Sequence, residues 1–170
     1  MLEQSPSDEG DYFVNLAFAY DRAGRTFDAE AAARRACELE PDSEGAWIAL
    51  AYALAFPIVR RRMERKTRHL TADDEEFPRL MEAIQAVGKA AAILRQRDRQ
   101  PMLVEVLGNA LAIYAAANED AAALEIGLEL RQNGLRSEIA ARNLLFIQMR
   151  CRRFTDALIT ADDSCCLWCH

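Results

Sequence analysis

The residues best suited to chemistry lie at the end of the sequence, between positions 165 and 170. Cys166, Cys169 and His170 fit the C-x-x-C-H pattern, in which two thiols bond to haem and the histidine binds its iron. Together with Cys165 they could also bind Zn²⁺ or Cu(I), because thiolates and imidazole are suitable donors for these ions. Two other interpretations stay open. Thiols beside Trp168 could be the substrate of a peptide-modifying enzyme, or the tail could be a chain end without a function.

The rest of the sequence gives this tail little support as a cofactor site. Haem attachment of this kind generally occurs outside the cytoplasm, whereas Met1 to Gly10 is polar and acidic and lacks the regions of a signal peptide. An odd count of 5 cysteines without a secretory signal also argues against a disulfide framework. We therefore expect a cytoplasmic protein without a cofactor.

No group of residues has the spacing of a catalytic site. The chain has 2 histidines, His69 and His170, and it has no phosphate-binding glycine loop, nucleophile elbow or helical His pair. The net charge of −6 opposes general attraction to nucleic acid or anionic membranes. The basic run from Arg60 to His69 is followed by acidic residues that can neutralise it, so it is interpreted as a solvated helix face or long loop. We expect neither an enzyme nor a nucleic-acid-binding protein.

Composition indicates that helices would position any site. Half of the residues are hydrophobic (51%), many of them alanine, while glycine (7) and proline (5) are scarce. From Asp11 to Ala23 the apolar residues recur at intervals of three and four, and Gly24 follows. A second helix is expected from Thr26, a possible N-cap, to Leu39. Because the connection is short, the two helices should form an antiparallel hairpin.

This hairpin resembles a tetratricopeptide repeat, a unit of about 34 residues with a fixed pattern of large and small side chains. With Gly10 as the first position, the matching residues are Phe13, Leu16, Ala17, Tyr20, Ala29, Ala36 and Pro41. Ala33 replaces an aromatic residue of the family pattern. The next unit starts at Glu44 and its matching residues are Trp47, Leu50 and Ala51. In this family each hairpin buries its apolar face against its neighbours.

The second half of the chain repeats the pattern more weakly. Units that start at Val104 and Glu138 place these residues at family positions: Asn109, Tyr114, Ala123, Asn143, Leu144, Phe154 and Ala157. The second unit is longer than a normal repeat by roughly 26 residues. The apolar stretch from Ala46 to Val59 is shorter than the ~20 residues of a membrane span, and it is interpreted as buried helix.

The expected fold is therefore an all-α, TPR-like solenoid of about four antiparallel helix hairpins with an enlarged second repeat. We expect a disordered polar segment over 1–10, the repeat domain over 11–164 and the cysteine-rich tail over 165–170. A basic and then acidic insertion should occupy about 57–76. Within it, Thr71 and Asp74 indicate the start of a helix that runs to about Arg97, before Pro101.

The resemblance implies that the first helix of each repeat lines a concave groove that binds another polypeptide. The residues expected to face this groove are Asp11, Val14, Phe18, Asp21, Arg22, Ile48, Tyr52, Arg142, Phe146 and Met149. Family members that grip a chaperone's C-terminal carboxylate use Lys and Asn at such positions, and Val14, Phe18, Ile48 and Tyr52 do not supply them. An apolar groove instead suits an amphipathic helix or an extended apolar peptide.

The function implied is that of an adaptor, a chaperone-like holder or a subunit of an assembly. A simpler interpretation is that the aromatic residues Phe18, Tyr52 and Phe146 only pack between helices. The last helix, from about Phe154, has room for barely three turns and would leave a stacking surface uncovered. Either the tail covers that surface, or the C-terminal hairpin associates with another subunit.

Overall fold

The computed structural model describes residues 6–65, 75–133 and 138–165 of the chain, with the side chains of 9–62, 75–133 and 138–162. These residues form eight α-helices. In chain order the helices are α1 Pro6–Arg22, α2 Thr26–Leu39, α3 Glu44–Arg65, α4 Phe77–Gln96, α5 Gln100–Ala117, α6 Asp120–Gln132, α7 Glu138–Arg150 and α8 Phe154–Cys165. The all-α fold expected from the sequence is confirmed.

Consecutive helices pack as four antiparallel hairpins. In the first hairpin, Gly24 has a φ of 73°, a left-handed conformation that ends α1 and turns the chain into α2. One face of α2 is buried against its neighbours and consists of Ala29, Ala32, Ala33 and Ala36. These small side chains let helix backbones approach closely, which stacked hairpins require.

The hairpins stack so that the odd-numbered and even-numbered helices form two layers. Each odd helix packs on the next odd helix, whereas no two even helices within the described ranges bring their Cα atoms within 8 Å of each other. Long side chains bridge the even helices instead, as in the ion pairs Arg34–Glu82 (2.6 Å) and Arg79–Glu30 (2.7 Å). A stack whose layers differ in spacing curves toward the closer layer, so α1, α3, α5 and α7 form its concave, inner side.

The inner helices α5 and α7 approach each other closely at Gly108. A Cβ atom added to Gly108 would lie 2.8 Å from the Cβ of Ala140. Both residues are buried. Glycine is required here by proximity to the neighbouring helix and not by an unusual backbone conformation.

Several helix boundaries differ from the expectations. The first helix begins at Pro6, so residues 6–10 of the segment expected to be disordered are helical, and residues 1–5 lie outside the description. Thr26 is the first helical residue and not the N-cap; the N-cap is Arg25, which makes no side-chain capping bond. Pro101 lies in the first turn of α5, where proline is tolerated because that N–H needs no helical partner.

The enlarged second repeat consists mainly of longer helices. Pro57 lies inside α3, which continues to Arg65. Packing of α1, α2, α4 and α5 against α3 offsets the hydrogen bond that proline removes. The following helix begins at Phe77, later than the Thr71 start expected from the capping pattern. Thr71 and Asp74 themselves, with the rest of 66–74, lie outside the described residues.

Candidate functional site

Three aromatic side chains form a row across the first two inner helices. The ring of Phe18 on α1 meets the ring of Tyr52 on α3 edge-on, with centroids 6.4 Å apart. The Tyr52 ring stacks on Phe56, with centroids 4.3 Å apart and an interplanar angle of 18°. All three side chains are half-buried and pack against the hydrophobic core. We call these three residues the aromatic row.

The polar end of the aromatic row is held by the third inner helix. The Asn109 Nδ2 on α5 donates a hydrogen bond of 2.9 Å to the Tyr52 hydroxyl. Burial raises the pKa of Tyr52 to about 12, although the bond from Asn109 acts in the opposite direction. The phenol is therefore neutral at physiological pH, and its orientation is fixed between α3 and α5.

The other groove residues expected on α1 and α3 lie beside this row. Val14 and Ile48 are half-buried. Asp21 lies 3.8 Å from the Arg60 guanidinium, which makes it a loose ion pair. Arg22 is exposed and has no ion-pair partner among the described residues. Val14 and Ile48 thus add apolar surface beside the row, and the charges of Asp21 and Arg22 lie at the carboxyl end of α1.

The fourth unit does not join the aromatic row. Phe146 is 59% exposed and Met149 is 51% exposed, and Arg142 is exposed as well. Between Phe146 and Tyr52 lies α5, whose equivalent residue is only Ala112. The simpler interpretation, in which Phe18, Tyr52 and Phe146 are all sealed in a core, does not hold for Phe146, and it holds only in part for the other two.

Sequence reasoning missed two residues of the site and part of its electrostatics. Phe56 follows Tyr52 by four residues, a helical spacing that could have placed it on the same face. Asn109 was recognised as a family position but not as the partner of Tyr52. The carboxyl end of α5 also binds two arginines, since Arg62 donates to the Ala116 carbonyl and Arg150 donates to the Ala115 carbonyl at 3.1 Å.

Arg150 is held by contacts within the chain. Its Nε donates to Asp120 Oδ2 at 2.8 Å, and its guanidinium lies 5.5 Å from the Phe146 ring centre. Burial lowers the pKa of Arg150 from the usual arginine value. Cationic donors at a helix carboxyl end stabilise its unpaired carbonyls, so this arginine joins α7 to α5.

A cleft of about 360 Å³ lies between α2, α3 and α4 on the outer layer. Its walls include Cys37 and Trp47, and the Lys89 ammonium lies 3.8 Å from the Trp47 ring centre. Burial raises the pKa of Cys37 to about 11, so its sulfur is a thiol and a poor nucleophile at neutral pH. Cys37 thus behaves as a packing residue. Cys151 lies in the turn that follows α7.

The proposed haem or metal ligands belong to the C-terminal tail. Cys166, Cys169 and His170 lie outside the described residues, as does the side chain of Cys165. Within the ranges that are described, no three His, Cys, Asp or Glu residues are grouped so that they could hold a metal ion. None of the described helices is both long and apolar enough to cross a membrane.

No protein-family model and no curated protein matches the sequence. Among solved structures, the chain is similar to one described as the functional characterization of pilF from Pseudomonas aeruginosa. The similarity covers 96% of this chain and 78% of that chain, with 18% sequence identity and a TM-score of 0.39. The TPR-like arrangement of hairpins follows from the helices and their packing alone.

Proposed function

We propose that this chain is a protein-interaction module that binds an apolar peptide or an amphipathic helix of a partner along its inner helix layer. The aromatic row carries the proposal, because its three adjacent rings lie on the inner helix layer and are only half-buried. Burying such surface against a partner stabilises a complex by about 25 cal/mol per Å² of apolar area, before the costs of association.

The polar groups at this site also favour an apolar partner segment. The Tyr52 hydroxyl already has an internal partner in Asn109, so a ligand need not satisfy it. Beside the row, α5 also contributes the small residues Ala112 and Ala115, both half-buried. A large apolar side chain of the partner would pack against Tyr52 on this side, and anchors of that kind dominate the affinity of helix-in-groove complexes.

The test uses peptides selected from a displayed random library against the wild-type chain. Phe18→Ala should weaken a selected peptide by about 1 to 3 kcal/mol, or roughly 5- to 150-fold in Kd, because it removes one end of the aromatic row. The matched control is Phe27→Ala, since Phe27 lies on the outer helix α2 and is 83% exposed. That variant should bind with unchanged affinity.

Calorimetry supplies the affinities, and circular dichroism checks that each variant keeps its helices. Peptides that bind both variants as tightly as the wild type would show that the aromatic row is not the receptor surface. A library that yields no apolar binder would contradict the proposed partner chemistry.

A further inference from the structure

The first inner helix exposes two residues, Tyr12 and Ala19, whose equivalents are buried in every later unit. Tyr12 is 60% exposed, and Asn15 and Ala19 are exposed on the same face of α1. Aligning the units on Gly10, Glu44, Val104 and Glu138 gives the equivalents of Tyr12 and Ala19. They are Ala46, Ala53, Val106, Ile113, Ala140 and Ile147, each no more than 2% exposed. These residues are buried because the preceding inner helix covers them.

The last described inner helix, α7, has an exposed face on the side away from α5. On α7, Ile139 is 50% exposed, and it lies on one stripe with the exposed Phe146 and Met149. Arg142 lies on the same stripe and is exposed too. Its equivalents in the other units are half-buried or buried, and they are Val14, Ile48 and Gly108.

Contacts inside the chain show how one inner helix fits the next. The Tyr12 equivalent on α7, Ala140, faces Gly108 on α5, which is the equivalent of Arg142. Gly45 on α3, the equivalent of Asp11, faces Val14 on α1 in the same way. A Cβ at Gly45 would lie 3.8 Å from Val14 Cγ1.

A third contact between successive inner helices lies one helical turn closer to their carboxyl ends. Asn109 on α5, the equivalent of Asn15, donates to Tyr52 on α3. Tyr52 is in turn the equivalent of Phe146. The contacts therefore predict what α1 would meet if it were placed on α7.

We propose that a second copy of this chain docks its α1 on the exposed stripe of α7, as one inner helix docks on the next within the chain. In this arrangement Asp11 and Tyr12 of one copy lie opposite Arg142 of the other, and Asn15 lies opposite Phe146. Asp11 and Arg142 are exposed and have no ion-pair partner among the described residues. The Arg142 guanidinium can contact both residues, since a guanidinium pairs with a carboxylate and stacks on an aromatic ring.

Charge complementarity favours a second copy over an unrelated helix. The α1 face supplies the carboxylate that the arginine on the α7 face lacks. Because the two faces are different, the contact is head-to-tail, and repeated contacts build a row or a ring of copies. The aromatic row on α1 and α3 is not used, so this assembly does not depend on the proposed peptide binding.

Sedimentation of the purified chain over a range of concentrations up to about 1 mM tests the proposal. The wild-type chain should gain mass with concentration. Asp11→Arg and Arg142→Glu should each weaken association by at least about tenfold, because each places like charges opposite each other. The matched control is Glu105→Arg, the equivalent of Asp11 on α5, and it should assemble like the wild type.

Restoration of the contact separates this geometry from a nonspecific loss of charge. A chain that carries both Asp11→Arg and Arg142→Glu should assemble again, and so should an equimolar mixture of the two single variants. A wild-type chain that stays monomeric overturns the proposal and leaves the α7 face to a different partner. Single variants that assemble normally, or a double variant that fails to recover while its helicity is intact, overturn it equally.

Discussion

Replacing Gly108 by alanine tests whether the inner helices α5 and α7 are in close contact. The added methyl group would lie 2.8 Å from the Cβ of Ala140 on α7. Carbon atoms in contact prefer about 3.5 to 4.0 Å. Ala140 has no flexible side chain that could move aside, so the two helix backbones must separate. Gly88→Ala on α4 is the matched control, because Gly88 is exposed and has no atom near the added methyl group.

Both substitutions gain helix propensity, but only the one at Gly108 causes overpacking. Alanine in place of glycine in a helix interior stabilises by about 1 kcal/mol, so Gly88→Ala should raise the free energy of unfolding by that amount. At Gly108 the same gain is opposed by an overpacking cost of about 1 to 3 kcal/mol. The Gly88 variant should therefore be more stable than the Gly108 variant by about 1 to 3 kcal/mol.

Urea denaturation followed by circular dichroism measures this difference as a shift in midpoint at constant slope. A change in slope would show that unfolding is no longer a single transition, which is itself a risk in repeat proteins. Equal stabilisation by the two substitutions would mean that α5 and α7 are not in close contact. The relation of the inner helices, and with it the docking of α1 on α7, would then be wrong.

Two further predictions concern the contact between Tyr52 and Asn109. Tyr52 has a pKa of about 12, so it should ionise at higher pH than an exposed tyrosine, whose pKa is about 10. An absorbance titration of the wild-type chain should show one phenol that ionises at high pH and is missing from Tyr52→Phe. If every tyrosine ionises near pH 10, the burial of Tyr52 is refuted. The folded state holds the phenolic proton of Tyr52 more tightly than the unfolded state does. The contribution of Tyr52 to the free energy of unfolding should therefore fall as pH rises from about 10 to 12. Asn109→Ala should cost about 1 kcal/mol, and the cost should shrink when Tyr52 is already phenylalanine. An unchanged cost in that background would exclude the hydrogen bond.

The first hairpin was predictable because its sequence combines large and small residues at repeat spacing. The bounds of α2 and its four buried alanines follow directly from that pattern. The second unit was predicted less well, because local signals compete with tertiary packing there. Pro57 and the basic residues after it indicated an insertion, but neighbouring helices stabilise α3 through Pro57.

The site was predictable only where equivalent residues lie on adjacent helices. Phe18 and Tyr52 meet because they occupy the same place in consecutive units. Phe146 occupies that place too, but the intervening α5 supplies Ala112, so no aromatic ring continues the row. The bond between Asn109 and Tyr52 joins residues 57 positions apart, beyond the reach of any local pattern.

The most direct test of the peptide-binding account is an NMR titration of the isotope-labelled chain with a peptide selected as above. We expect the largest chemical-shift changes at Phe18, Tyr52, Phe56 and neighbouring residues of α5, with little change on α2, α4 and α6. Changes centred on the outer helices, for example at the cleft beside Trp47, would contradict the claim that the inner layer is the binding surface.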